Sequence, residues 1–421
     1  MSSTSTAPVA TRDTDPAESD RRPGDRRNLL IATLAFGVCF YAWSLLGPLS
    51  PDLQKTLDLS DFQTSVMVAV PVLLGAILRV PLGLLADRHG GRRVFSLLIA
   101  ASVVPVVGLA FVHDAFLPVV LFGLVLGIAG ASFAVGVPLV NGWYSPERQG
   151  AALGLYGIGM GGTVVAALTA PRIAEATSLT MPFVVAAVLL VVVGGLFVAV
   201  ARDARPPSGA QGSLLAPLAV FRTSARAWAL TLFYFVSFGG FVAMFLYLPK
   251  LLTGVHELSK TDAGTRAAGF AMLAVIGRPL GGWLADRIGA GRVLRGSFVV
   301  TVVLALVLGA TYERMLPLAL SCLAIGLAFG LGTGAVFKLV AEWFPQQVGG
   351  VTGVVGAAGG LGGFFPPLVM GIVKGATGGY ALGFVLLAAL AASALAVLLV
   401  LERNGRRTAR SDRSVQAGSP A

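Results

Sequence analysis

The sequence predicts an all-α integral membrane protein with twelve transmembrane helices in two pseudo-symmetric six-helix halves. Three observations lead there: an apolar composition, twelve apolar runs of spanning length, and an internal repeat at a fixed offset. Of 421 residues, 56% are hydrophobic and only 12% charged, with mean hydropathy +0.83. A soluble domain carries about a quarter charged residues, so half that share over this length calls for many spans. Many of the 54 glycines lie inside apolar runs, where small residues let transmembrane helices approach closely.

A span needs about 20 predominantly apolar residues. Such runs fall near 28–48, 64–86, 94–113, 117–142, 148–172 and 180–201, then 227–248, 263–286, 293–312, 316–341, 347–373 and 378–401. The polar interval 202–226, with Arg202, Asp203, Arg205, Pro206 and Pro207, reads as a linker between halves at 28–201 and 227–402. Residues 1–27 and 403–421 are polar and read as disordered tails. No short apolar segment with a small-residue cleavage site follows the first tail, so no cleavable signal peptide is expected.

The net charge of +11 comes from short basic clusters between apolar runs. They form no continuous stripe and accompany no groove-reading motif, which excludes nucleic acid as the expected partner. They do encode topology. With both termini on one side, that side holds 21 of the 31 Lys and Arg residues and should be cytoplasmic, placing the protein in the cell (inner) membrane. Cys39 and Cys322 both lie in apolar runs, as small core residues do. His89, His113 and His256 show no metal spacing and no nucleophile-base arrangement. No enzyme chemistry, metal or cofactor is expected.

The halves repeat. Residues 79–90, RVPLGLLADRHG, and 278–289, RPLGGWLADRIG, share Arg, Gly, Leu, Ala, Asp, Arg and Gly at an offset of 199. A second pair, WYSPERQGAALG from Trp143 and WFPQQVGGVTG from Trp343, aligns Pro146/Pro345, Gly150/Gly349 and Gly154/Gly353 at that offset. Duplicated halves of this kind place a binding site at their interface near the bilayer midplane.

Two residues in that repeat carry the chemistry. Arg79 and Arg278 each lie eight residues before an aspartate, Asp87 and Asp286. That spacing sets each about 12 Å inside the boundary of a half-core about 15 Å deep. Arginine at such depth is a functional residue by default. No Asp or Glu lies in the middle of any span, so the two cations have no carboxylate to offset their desolvation. A bound anion completes the site, and a guanidinium fork suits a planar oxyanion. The bland alternative is that both arginines bond backbone carbonyls or pack at helix contacts. Lys338, one turn before Glu342, reads as an i,i+4 partner of that glutamate, with a second anion-attracting or proton role as the other option.

The segment 83–93, GLLADRHGGRR, and its copy near 282–292 resemble the signature of the major facilitator superfamily, with Gly91 where that family often has a basic residue. This resemblance implies gating roles for Gly83, Asp87, Arg88 and Gly90, and for Asp286 and Arg287. Within the superfamily, YFVSFGGF from Tyr234 and GIAGASF ending at Phe133 resemble the nitrate/nitrite porter family. So do the glycine-rich stretches GLYGIGMGGTVVAALTAP and GVVGAAGGLGGFFPPLVMG. Met160 stands where the family commonly has asparagine, and Gly359 supplies none in the copy.

The resemblance implies an anion site of Arg79, Phe133, Tyr234, Phe238 and Arg278. Around it lie glycine-rich signature positions Gly157, Gly159, Gly161, Gly356, Gly359 and Gly360. The expected function is alternating-access transport of nitrate or nitrite by a monomer in the lipid bilayer, with exchange of the two ions favoured because two bare arginines resist the return of an empty carrier. Proton-coupled uptake, exchange of organic phosphates or carboxylates, and a non-transporting sensor are the rival readings.

Overall fold

The computed structural model describes residues 25–144, 152–204, 216–344 and 348–417. The tail 1–24, Arg148, Glu147 and most of the linker lie outside the described residues. Twelve long helical segments succeed one another: α1 Asp25–Ser44, α2 Asp61–His89, α3 Gly91–Phe111, α4 Phe116–Asn141, α5 Ala152–Ala176, α6 Met181–Val200, α7 Ala225–Val255, α8 Lys260–Ile288, α9 Ala290–Thr311, α10 Met315–Trp343, α11 Val348–Thr377 and α12 Ala381–Ala417. Eleven of them, α2 to α12, are long and apolar enough to cross a membrane. α1 opens on the charged residues Asp25, Arg26 and Arg27, and its apolar run continues past Ser44 into the turn at 45–49.

α12 runs on to Ala417, into the stretch expected as a tail. The helix stoppers Gly418 and Pro420 come only afterwards. The linker carries a short helix, Ala216–Thr223, and its start is fastened down: Arg92 N donates to Asp203 Oδ1 (3.0 Å) and Arg202 N to Asn28 Oδ1 (2.7 Å).

The duplication extends to backbone geometry. Gly90 ends α2 at φ 90°, ψ 135°, and Gly289 ends α8 at φ 90°, ψ 134°. Side chains rarely tolerate that region, so glycine is required for the sharp turn into the next helix. Asp203 and Glu402, again 199 apart, dock after α6 and late in α12 onto the starts of α3 and α9; Glu402 pairs with Arg295.

Between the halves, α2 packs along α11 and α5 along α8. Both seams depend on small residues. A Cβ at Gly360 would lie 2.5 Å from Ala76 Cβ, and one at Gly264 2.5 Å from Ala167 O. With no apolar driving force between helices in lipid, close backbone approach supplies the association. Both arginines lie on these seam helices.

Alanine at Gly90 or Gly289 should lower the thermal midpoint in detergent, each by a strain of about 1–3 kcal/mol. Gly90→Ala should cost more, because its Cβ would also press on Asp203, whereas Gly289 faces open space. Equal midpoints for both variants and the parent would contradict the shared turn.

Candidate functional site

Three departures from α-helical winding set the site. α4 tightens to a 3-10 turn at Gly127–Ala131, α5 does the same at Gly157–Gly161, and α7 widens to a π turn at Phe235–Gly239. Such turns occur frequently at functional sites. Here each one carries or abuts a residue the sequence singled out: Phe133 comes just after the first, Gly157 opens the second, and Tyr234 directly precedes the third, which contains Phe238.

Arg79 and Arg278 are both buried, at 3% and 8% exposure, and each reaches across the interface. Arg79, from α2, donates through Nε to Gly130 O on α4 (3.4 Å) and through Nη1 to Gly356 O on α11. Its Cζ sits 4.9 Å from the Phe238 ring centroid of α7. Arg278, from α8, lies 4.6 Å over Phe133 of α4 and 5.5 Å from Phe337 of α10. Its named polar contact is a weak one, Nη1 to Met160 Sδ at 3.9 Å. The glycines next to the arginines repeat the offset of 199: Gly157 borders Arg278, and Gly356 borders Arg79.

An aromatic wall joins the two cations. From Arg278 it runs through Phe133 to Phe337 (6.2 Å) and on to Tyr234 (4.9 Å, edge-on); Tyr234 then stacks on Phe238 (5.1 Å, 4°), which lies under Arg79. Tyr234 and Phe238 therefore pack on each other along one wall. Tyr156 holds Phe133 from behind, stacked at 5.6 Å, with its hydroxyl donating to Ser132 O (2.8 Å).

Cation-π contacts of this kind contribute about 0.5–2 kcal/mol each, which does not offset two buried charges. A guanidinium has five N–H donors. Arg79 places two on carbonyls, and Arg278 places one on a thioether. The backbone-carbonyl alternative thus accounts for part of Arg79 and almost none of Arg278. The remaining donors of both guanidinium groups meet no acceptor among the described residues.

The other singled-out residues divide by position. A Cβ at Gly159 would meet Phe36 and Thr33 O, and one at Gly359 would run into the Tyr234 ring. Gly360 sets the α2–α11 approach, and Gly161 has nothing within 4 Å. Gly83 lies one turn beyond Arg79 on α2, and Asp87, Arg88 and the capping Gly90 finish that helix, as Asp286 and Arg287 finish α8. Gly83 is in ordinary contact with Ala134, and Arg287 lies 4.1 Å over Trp283.

Lys338 departs from the expected pairing with Glu342. Its Nζ binds Asp286 Oδ1 at 2.6 Å. α10 packs beside α8, which brings Asp286 within reach, while Glu342 sits one turn nearer the exposed end of α10. The sequence reading also missed Phe337, Tyr156 and Phe36. Nothing in their spacing distinguishes them among 24 phenylalanines and seven tyrosines; only the helix crossings do.

A family model described as Major Facilitator Superfamily matches residues 32–264 and 252–420. The chain is 40% identical over 351 residues to a Mycobacterium tuberculosis (strain ATCC 25618 / H37Rv) protein named "Probable nitrate/nitrite transporter NarK2", spanning 83% of this chain and 89% of that one. It is 34% identical over 390 residues to the "Nitrite extrusion protein" of Bacillus subtilis (strain 168), spanning 92% and 98%. Among solved structures, the human organic anion transporter MFSD10 (TETRAN) superposes with a TM-score of 0.72 at 19% identity, over 90% of this chain and all (100%) of that one. At that identity the likeness is one of fold.

Gly359→Ala should displace Tyr234 and abolish anion-dependent thermal stabilisation, while Gly161→Ala should leave it within error of the parent. Equal stabilisation in the two variants would show that the Tyr234 position is not set by Gly359.

Proposed function

The chain belongs to the major facilitator superfamily and, by kinship, to its nitrate/nitrite porters, and on that premise we propose that it carries nitrate or nitrite across the membrane between Arg79 and Arg278. The observation that carries this reading is the pair of buried guanidinium groups, one from each half, with free donors and no carboxylate partner among the described residues. A planar oxyanion between them accepts from both forks, and charge-assisted bonds of this type are the strong ones. The aromatic wall sets apolar faces beside both forks, which strengthens such bonds and suits a small, flat ion.

The transport cycle rests on the same charges. The arginines are close enough for their charges to interact, so the halves close on an occupied site more readily than on an empty one. Alternating access with exchange of nitrate for nitrite is the outcome this favours, since the unloaded carrier retains its repulsion. The end that carries the basic loops and both termini faces the cytoplasm by the positive-inside bias. There Asp87 and the Asp286–Lys338 pair serve the gating that the duplicated motif implies, and one chain contains a whole site, so a monomer suffices.

Counterflow of labelled nitrate against internal nitrite in proteoliposomes tests the site. Arg79→Lys and Arg278→Lys keep the charge and lose the fork. Each should weaken apparent affinity by roughly 10- to 100-fold, the worth of a charge-assisted hydrogen bond of about 1.5–3 kcal/mol. Unchanged counterflow in both would sink the reading. Exchange has its own check: vesicles without internal anion should take up little nitrate under a proton gradient, and accumulation there would establish proton coupling instead.

A further inference from the structure

The arginines are not the only charges that join the halves. At the end of the molecule opposite the termini, Lys250 of α7 pairs with Asp61 of α2 at 2.7 Å, and the lysine side chain is 7% exposed. The same Nζ lies 3.4 Å from Asp61 O, which also accepts from Ser65 Oγ (2.7 Å). Gln54 Nε2 reaches Asp61 Oδ1 at 3.3 Å, and the Tyr247 ring flanks the ammonium at 5.6 Å. Nearby, Lys260 of α8 pairs with Asp52, and Arg172 of α5 donates to Thr265 of α8 (2.8 Å). Beside these contacts opens a cavity of about 710 Å³ lined by Lys55, Lys374 and Tyr380 among others. By contrast, two ion pairs at the basic end, Lys338–Asp286 and Arg295–Glu402, each stay within one half.

The seams agree with that asymmetry. Along α2 and α11, Ser65 meets Gly371, Val72 meets Gly363, Ala76 meets Gly360 and Arg79 meets Gly356; one turn further, Gly353 has nothing within 4 Å. Along α5 and α8, Gly264 rests on Ala167 and Pro171, whereas Gly154 has nothing within 4 Å. The halves are closed from the Lys250–Asp61 end down to the arginines.

α2 and α7 therefore meet at two levels. Arg79 lies on Phe238 in the middle, and Asp61 holds Lys250 at the end, about 27 Å along α2 and about 18 Å along α7 from those partners. Any rocking that opens this end must part the ion pair before it can expose the arginines there. Parting it in an open, watered cleft costs little, whereas removing one partner leaves a buried charge unpaired in the closed form. The closed form alone gains from the pair, so the pair biases the equilibrium between the two.

We propose that Asp61 and Lys250 form an external latch, a pair of positioning residues that holds the outer side shut while the arginine site faces the cytoplasm. The assignment of this side as external rests on the functional reading above; the latch itself rests on the seam geometry. Its test uses Ser65, which is fully buried directly beneath the pair. In a full-length chain carrying Cys39→Ala and Cys322→Ala, a Ser65→Cys substitution reports opening through its rate of modification by a membrane-impermeant maleimide applied to intact cells.

Adding Asp61→Asn should raise that rate by at least about tenfold. The exchanged pair, Asp61→Lys with Lys250→Asp, should bring it back to within about threefold of the parent, which a merely misfolded variant cannot do. In transport, Asp61→Asn should lower both external KM and kcat, because outward-open carrier becomes more populated and closure slower. An unchanged labelling rate in Asp61→Asn, or an exchanged pair that labels as fast as the single variant, overturns the latch. Maleimide labelling needs no substrate, so it still decides the question if nitrate is not the cargo.

Discussion

Two buried arginine side chains with no carboxylate partner among the described residues are the constraint on which the rest of this molecule depends. Placing an ion in a low-dielectric interior costs several kcal/mol even after relaxation, and neither carbonyls nor ring faces offset that for two cations. The chain distributes part of the compensation: Gly130 O and Gly356 O for Arg79, and Phe238, Phe133, Phe337 and Met160 around the two guanidinium groups. In the proposed cycle the remaining compensation comes from the transported anion, which makes the ion a participant in closing the halves.

The glycines serve that constraint in two different ways. Some, such as Gly360 and Gly264, bring seam helices backbone to backbone so that residues from opposite halves can meet at all. Others, Gly159 and Gly359, remove a Cβ where an aromatic ring must lie. The 3-10 and π turns act alongside them. A π turn inserts an extra residue, rotating the rest of the helix by about 100°, and in α7 it starts just after Tyr234 and includes Phe238, whose rings stack face to face.

Polar contacts divide the labour along the membrane normal. Among the described residues, the ion pairs Asp61–Lys250 and Asp52–Lys260 join the halves at one end, and Asp286–Lys338 and Glu402–Arg295 stay within one half at the other. A carrier that alternates needs contacts that form and break at its two ends in turn, with the midplane as fulcrum. Asp286 being satisfied within its own half leaves the duplicated motifs chemically unequal despite their shared sequence, since position 139, the counterpart of Lys338, is Leu139.

The sequence by itself determined the membrane class, the division into halves and the two arginines. Hydropathy, charge placement and a constant offset of 199 are properties of the chain read in one dimension, and depth comes from counting residues along a helix. The absence of an intramembrane carboxylate is likewise a property of composition. Tertiary structure alone decided that Lys338 meets Asp286 instead of Glu342, that Phe337 and Tyr156 complete the aromatic wall, and that Asp61 finds Lys250 across 189 positions. The physical reason is the same for the three pairings. They depend on which helices cross, how close glycine lets them come, and how local 3-10 or π turns rotate a helix face, none of which a single helix's periodicity records.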